Sequence, residues 1–242
     1  MGDPASRIAG RTWWHTIDLA PAVATSGSWD LRPMAKYMPW PDSLKGARCL
    51  DVGTMDGFWA FEMERRGAAE VIGIDVSMQP GRQPEPGDNF RLAAELLGSR
   101  ATWQEVNVYD LSPTKLGQFD LVFVGYVLNL LQDPVGALEA IRNVCRGAVI
   151  VLDEISLAMT VIHRQPVAKL APRPGYLEWW VFNAAGLRRA LTISGFKPEA
   201  ESRLLKFQPG PGAKRSEVPI TYRLRHAAGL AGVSLAVRAS CA

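Results

Sequence analysis

The chain has 242 residues, 48% of them apolar and 21% charged, with a formal net charge of +3. That much apolar content excludes a disordered chain and suffices for one full α/β core. The small positive charge, with no basic run longer than Arg188-Arg189 or Lys214-Arg215, neither demands nor excludes nucleic acid. Three scattered cysteines, Cys49, Cys145 and Cys241, give neither a disulfide framework nor a zinc site. No apolar run reaches membrane-spanning length and there is no signal-peptide core, so a soluble cytoplasmic protein is expected.

Residues 1–46 are rich in aromatic groups, Trp13, Trp14 and Trp29 among them, and read as a cap preceding a nucleotide-binding domain over 47–242. Residues 49–52 form a short apolar strand, Gly53 and Gly57 bracket a turn, and 58–66 carry helical spacing that Gly67 stops. Residues 71–74 form the next strand, closed by Asp75, which completes a βαβ unit. The run 79–88, rich in Pro and Gly, is a loop, and 89–98 an amphipathic helix. A strand over 102–108 leads into Tyr109-Asp110, and 119–125 is apolar enough for a strand covered on both faces. Asp133-Pro134 starts a helix that should run to Gly147, and 148–152 is a buried strand closed by Asp153-Glu154.

The last third is less regular. Residues 163–176 read as a loop or broken helix, Trp179-Trp180 precede a helix through Ile193, and strands are expected near 199–207, 221–227 and 234–239. Alternating strands and helices predict a Rossmann-like, doubly wound α/β sheet, mostly parallel, with an antiparallel C-terminal edge. Ligands bind such sheets at the carboxyl ends of the strands, here marked by Asp51, Asp75, Asp110, Gly125 and Asp153.

The first turn chooses between cofactors. A dinucleotide site uses G-x-G-x-x-G to seat a pyrophosphate. Here Gly53-Thr54-Met55-Asp56-Gly57 places Met55 where the second glycine would be. Asp51 and Asp56 at that mouth would repel a pyrophosphate and suit a ligand with a cationic end. S-adenosylmethionine (SAM), with its ammonium and sulfonium, is such a ligand.

The string LDVGTMDG resembles the first motif of class I SAM-dependent methyltransferases, D-x-G-x-G-x-G, departing from it at Met55. The run from Trp13 to about Phe196 is similar to the branch related to tRNA wobble-uridine carboxymethyltransferases. The residues that carry the likeness are Trp14-His15-Thr16-Ile17-Asp18-Leu19, Trp29-Asp30-Leu31-Arg32-Pro33, VYDLSP, LGQFDLVFVGYVLNLLQDPVGALEAIRNVCRG and a late W-x-x-N. The likeness implies SAM packed on Gly53, Thr54, Met55 and Gly57, Asp51 near its ammonium, and Asp75 with Val76 at the ribose hydroxyls. Val108, Tyr109 and Asp110 would read the adenine, with Gly125 and Tyr126 under the methionine tail. Asn129 stands where the branch has a histidine, and Asp30, with no equivalent lysine beside Trp29, would disfavour a carboxylated donor.

Methyl transfer needs alignment above all, and a general base only for a hydroxyl acceptor. Base candidates are His163, Asp153, Glu154 and His15; Trp13, Trp14, Trp29, Asn129, Trp179 and Trp180 are the expected acceptor walls. The expected function is methyl transfer from SAM to a small molecule, at oxygen, by a monomer or homodimer without a metal. A tRNA (carboxy)methyltransferase and a non-catalytic SAM- or nucleotide-binding module are the alternatives.

Overall fold

The structure, a computed structural model, describes residues 3–76, 85–171, 178–206, 208–213 and 232–242. In chain order these form α1 (Pro4–Ile8), four short strands β1 (Trp13–His15), β2 (Asp18–Ala20), β3 (Val23–Ala24) and β4 (Gly27–Trp29), and α2 (Arg32–Ala35). The body follows as β5 (Arg48–Val52), α3 (Phe58–Arg65), β6 (Glu70–Asp75), α4 (Asp88–Leu97), β7 (Thr102–Glu105), α5 (Pro113–Leu116), β8 (Phe119–Gly125), α6 (Pro134–Val144) and β9 (Cys145–Glu154). Then come α7 (Leu157–Ile162), β10 (Ala168–Leu170), β11 (Trp180–Phe182), α8 (Ala184–Ile193), β12 (Phe196–Glu201), β13 (Leu205–Lys206) and β14 (Val233–Cys241).

The main sheet has the order β12-β14-β9-β8-β5-β6-β7, with β13 also paired to β14. From β9 to β7 all pairs are parallel, and β14 runs antiparallel between β9 and β12. The antiparallel strand thus lies one place in from the edge. The partner expected for it at 221–227 lies outside the described residues, as does most of the loop expected at 79–88.

Alternation along the strands builds two cores, one on each face. Leu50, Val52, Val122, Val124, Val149, Val151 and Val237 pack against α6 and α8. Cys49, Leu121, Phe123, Ile150, Leu152 and Ala236 pack against α3, α4 and the N-terminal segment through Trp13, Ile17, Leu31 and Met34. The N-terminal cap therefore shares a core with the sheet.

Several elements differ from the sequence reading. The strand expected near 199–207 is β12, which starts at Phe196 and ends at Glu201, with β13 separate from it, and β10 forms within the stretch 163–176 read as a loop or broken helix. α6 ends at Val144, and β9 begins at the next residue. Gly147, read as a helix stop, sits in β9, where the register with β8 gains one residue between Phe119↔Cys145 and Leu121↔Ala148. A side chain there would meet the Asp120 carbonyl at 2.2 Å, so glycine serves a bulge. β7 stops at Glu105; Asn107 then accepts the Tyr109 amide and turns the chain into a 3-10 turn over Val108–Asp110. Helix α7, begun by the Ser156 cap, had no counterpart in the sequence reading.

Candidate active site

The turn after β5 is built from backbone conformations that few side chains adopt. Gly53 has φ +70°, and a Cβ there would lie 2.4 Å from Val127 Cγ2. Met55 has φ +48° and Tyr126, just past β8, φ +57°. Left-handed non-glycine residues are uncommon, and their clustering at one rim is a mark of a functional site. Met55 thus takes, at a strain cost, the conformation glycine would take in the D-x-G-x-G-x-G pattern.

Asp51, at the end of β5, is 1% exposed. Its Oδ2 accepts Thr54 Oγ1 at 2.7 Å and the Ala60 amide at 3.0 Å. Helix α3 has glycine at its cap position and no side-chain cap of its own. Asp51 supplies that missing acceptor, at the positive end of the helix. Burial raises its pKa to about 7, against the opposing hydrogen bonds. Its Oδ1 makes no hydrogen bond among the described residues.

Asp56 is likewise turned away from the mouth. Its Oδ2 accepts the amides of Trp14 at 2.5 Å and His15 at 2.9 Å, and its Oδ1 accepts Asn89 Nδ2 at 3.2 Å. It fastens β1 to the turn and to α4. Burial raises its pKa to about 6. Both carboxylates are buried, so neither lies open at the mouth to repel a pyrophosphate: both oxygens of Asp56 are hydrogen-bonded, and Oδ2 of Asp51 is.

Asp75 is better placed for a ligand. Its Oδ2 accepts the Met55 amide at 2.7 Å and its Oδ1 the Val76 amide at 2.8 Å, so each oxygen keeps a free lone pair. Burial moves its pKa upward. The carboxylate is fixed at the tip of β6 beside the turn, the arrangement that accepting two ribose hydroxyls requires. Val76 is exposed, Val108 is buried, and Tyr109 and Asp110 are exposed on the 3-10 turn. The Tyr109 hydroxyl donates to the Asp133 carbonyl at 3.1 Å and accepts the Asp133 amide at 3.2 Å. That holds the ring at the start of α6, while Ser112 caps α5. Asp110 makes no side-chain hydrogen bond among the described residues and stays available.

On the β8–β9 side, the Tyr126 amide donates to the Leu152 carbonyl at 2.7 Å and its hydroxyl lies 2.9 Å from Ser234 Oγ. Gly125 lies over Trp59, whose Nε1 would be 3.0 Å from an added Cβ. Asp153, 1% exposed, accepts the Asn129 amide at 3.1 Å and the Glu154 amide at 2.8 Å. Its pKa is raised by burial to about 7. The Asn129 Oδ1 is buried without a hydrogen-bond partner, while its carbonyl accepts the Trp179 amide at 2.7 Å. Trp180 donates from Nε1 to the Gln132 carbonyl at 3.0 Å. Both tryptophans thus stand at the carboxyl ends of β8 and β9.

Other expected positions are moved by the structure. Trp13 is 1% exposed and belongs to the core, so it is not an acceptor wall. Trp14 is exposed, and Trp29 is half-buried against the same core. Burial holds the His15 pKa down at about 4, which makes it a poor base. His163 is exposed at the end of α7, where among the described residues only its backbone is hydrogen-bonded. Glu154 accepts the Gly232 amide at 3.2 Å. Both oxygens of Asp30 are bonded by Arg32, so it offers no free charge against a carboxylated donor. Sequence reasoning missed Val127 and Ser234, which shape the turn and hold Tyr126 from distant positions in the chain.

A glycine-lined turn, a ribose-type acid one strand away and a sheet with an antiparallel strand beside β9 define a class I SAM-dependent enzyme. A family model described as a methyltransferase domain matches residues 31–201. The chain belongs to that family of methyltransferase domains. It is 30% identical over 195 residues to a tRNA U34 carboxymethyltransferase of Cellvibrio japonicus, a match covering 78% of this chain and 55% of that protein. It is 32% identical over 143 residues to a ubiquinone biosynthesis O-methyltransferase of Neisseria meningitidis, covering 58% of this chain and 55% of the relative. The chain thus spans about half the length of the curated relatives it matches. The fold is shared with a 1,6-didemethyltoxoflavin-N1-methyltransferase of Burkholderia thailandensis, solved with its substrate and S-adenosylhomocysteine. That likeness has a TM-score of 0.54 at 16% identity, over 81% of this chain and 72% of the other. Among the described residues there is no cluster of metal-ligating side chains, and no helix is long and apolar enough to cross a membrane.

Proposed function

We propose that the chain transfers a methyl group from SAM to an oxygen atom of a small-molecule acceptor. The observation that supports this reading is the bond from the Trp179 amide to the Asn129 carbonyl, which holds an exposed tryptophan just past the carboxyl end of β8; Asn129 Oδ1 is buried without a partner among the described residues. Aromatic surface with one or two convergent polar groups is the chemistry of a small-molecule pocket. Residues 3–46 would act as a cap, and the described residues 157–171 would close over the acceptor and exclude water.

The sulfonium supplies the electrophile when SAM is bound. Asp75 accepts the ribose hydroxyls, with Tyr109 and Asp110 at the adenine. Asp51 holds the Ala60 amide of α3 and the Thr54 hydroxyl, and Asp56 holds the cap, which fixes the turn that would lie under the methionine tail. Asp153 holds the Asn129 amide and so the shape of the acceptor wall. Nothing in the described residues orients the His163 ring, and a general base must stand within hydrogen-bond reach of the proton it takes. His163→Ala is therefore expected to lower turnover by less than about tenfold, against the ~10²–10⁴-fold expected of a true base. A larger fall in steady-state turnover, at unchanged SAM affinity, would restore His163 to the mechanism. Glu154 is the remaining candidate where the acceptor is not already ionised.

The tRNA-directed reading is kept because of the Cellvibrio japonicus relative. Incubation with SAM labelled in the methyl group, against phenols, sugars, carboxylates and tRNA, separates the two. Label on a hydroxyl or carboxylate oxygen of a small molecule is the expected result. Label on tRNA alone, or clear preference for a carboxylated SAM in competition binding, would replace this reading with the second.

A further inference from the structure

We propose that a cationic pocket between α2 and β13 binds an anionic group, a phosphate or a carboxylate, carried by the methyl acceptor. The proposal rests on the small-acceptor reading above and specifies the class of that acceptor.

The pocket has a volume of about 440 Å³, and Lys36, Arg203 and Lys206 line it. The lining contains one carboxylate, Asp30. Asp30 is already neutralised: its Oδ1 accepts Arg32 Nε at 2.9 Å and its Oδ2 accepts Arg32 Nη2 at 2.7 Å. Among the described residues no carboxylate pairs with Lys36, Arg203 or Lys206. Among the described residues three positive charges therefore share one concavity without a paired carboxylate, an arrangement that draws in an anion and stabilises it there.

Tyr37 organises two of the three. The Arg203 guanidinium lies 3.5 Å from the centroid of the Tyr37 ring, and Lys36 Nζ lies 4.9 Å from it. A guanidinium stacked on a ring engages its flat face and keeps its N–H groups pointing outward in the plane. That fork matches two oxygens of a phosphate or carboxylate, with lysine ammonium groups as point charges beside it. The same surroundings lower the pKa of the Tyr37 phenol, through its hydrogen bond with Lys36 first and the charge of Arg203 next.

The pocket adjoins the reaction side of the sheet. Met34 and Leu205 form part of its wall. Met34 Sδ is 3.7 Å from the Tyr126 hydroxyl, and Leu205 pairs with Ser234, whose Oγ is 2.9 Å from that hydroxyl. Tyr126 is the left-handed residue that follows β8. An acceptor anchored by its anion is thus held one side-chain layer from the strand end where the cofactor turn lies.

The test is calorimetric titration of the whole chain, saturated with S-adenosylhomocysteine, with phenyl phosphate, benzoate and neutral phenol. At least one anion is expected to bind at least tenfold more tightly than phenol, and to weaken as chloride is raised. The two anions distinguish a phosphorylated from a carboxylated acceptor. The double substitution Arg203→Ala with Lys206→Ala, and separately Lys36→Ala, should weaken anion binding at least tenfold while S-adenosylhomocysteine affinity stays within twofold. Anions binding no better than phenol, or equally to parent and variants, would overturn the pocket while leaving the methyltransferase reading intact. Displacement of phenyl phosphate by tRNA that also receives the labelled methyl group would overturn both the small acceptor and this use of the pocket.

Discussion

Replacing Asp75 by alanine is expected to weaken S-adenosylhomocysteine binding by roughly 1.5–3 kcal/mol, about ten- to hundredfold, the range for hydrogen bonds to a charged group. The carboxylate acts twice in this site. Each oxygen is held by one amide, from Met55 or Val76, and each keeps a lone pair for a ribose hydroxyl. Deleting it removes both ligand bonds and frees the Met55 amide, whose residue sits at φ +48°. Asp75→Asn keeps the shape but substitutes an NH₂ donor for one acceptor, and should fall between parent and alanine. Calorimetry with S-adenosylhomocysteine and NAD on the three proteins checks this. An alanine variant that binds as the parent does would remove Asp75 from the cofactor site, and a parent that binds NAD as tightly as S-adenosylhomocysteine would overturn the choice of SAM as cofactor.

The sequence made the sheet legible and left its contacts across the chain hidden. Strands β8 and β9 were readable because their apolar runs are long enough to be covered on both faces, and α8 because Asn183 and its following apolar spacing form a capped amphipathic helix. The strands β1 to β4 are two or three residues each, too short for any period to show. Gly147 was ambiguous because a helix stop and a strand bulge ask for the same residue. Within the site, the positions of Asp51, Asp56 and Asp75 near one turn followed from the βαβ pattern. The direction of each carboxylate did not, since it depends on partners such as Ala60, Trp14 and Asn89 that only packing brings close. The support of Tyr126 by Met34 and Ser234 joins residues 92 and 108 positions apart, with no local signal at either end.

Asp51→Asn is expected to make the ligand-free protein more stable than the parent at pH 8 and about equally stable near pH 4. The folded-state pKa of Asp51 is raised by burial from 3.8 to about 7. Between those values the native state holds a proton that the unfolded chain has released, so stability falls as pH rises from about 4 to about 7 and is level above. Each pKa unit corresponds to about 1.4 kcal/mol, so this one carboxyl accounts for a loss on the order of 4 kcal/mol across that window. Asp153 and Asp56, raised to about 7 and about 6, act in the same direction. His15 acts oppositely: its pKa, lowered from 6.5 to about 4, costs stability as pH falls through that range. The slope of the parent alone therefore mixes these groups, and the difference between parent and Asp51→Asn isolates one. Asparagine can keep the bonds, because a single oxygen of Asp51 accepts both Thr54 Oγ1 and the Ala60 amide, and an amide oxygen can do the same. Urea unfolding of both proteins at pH 4 and pH 8 measures the effect. If the asparagine variant is the less stable at pH 8, the buried carboxylate is ionised there at no net cost, and Asp51 faces a positive charge that its bonds to Thr54 and Ala60 do not supply.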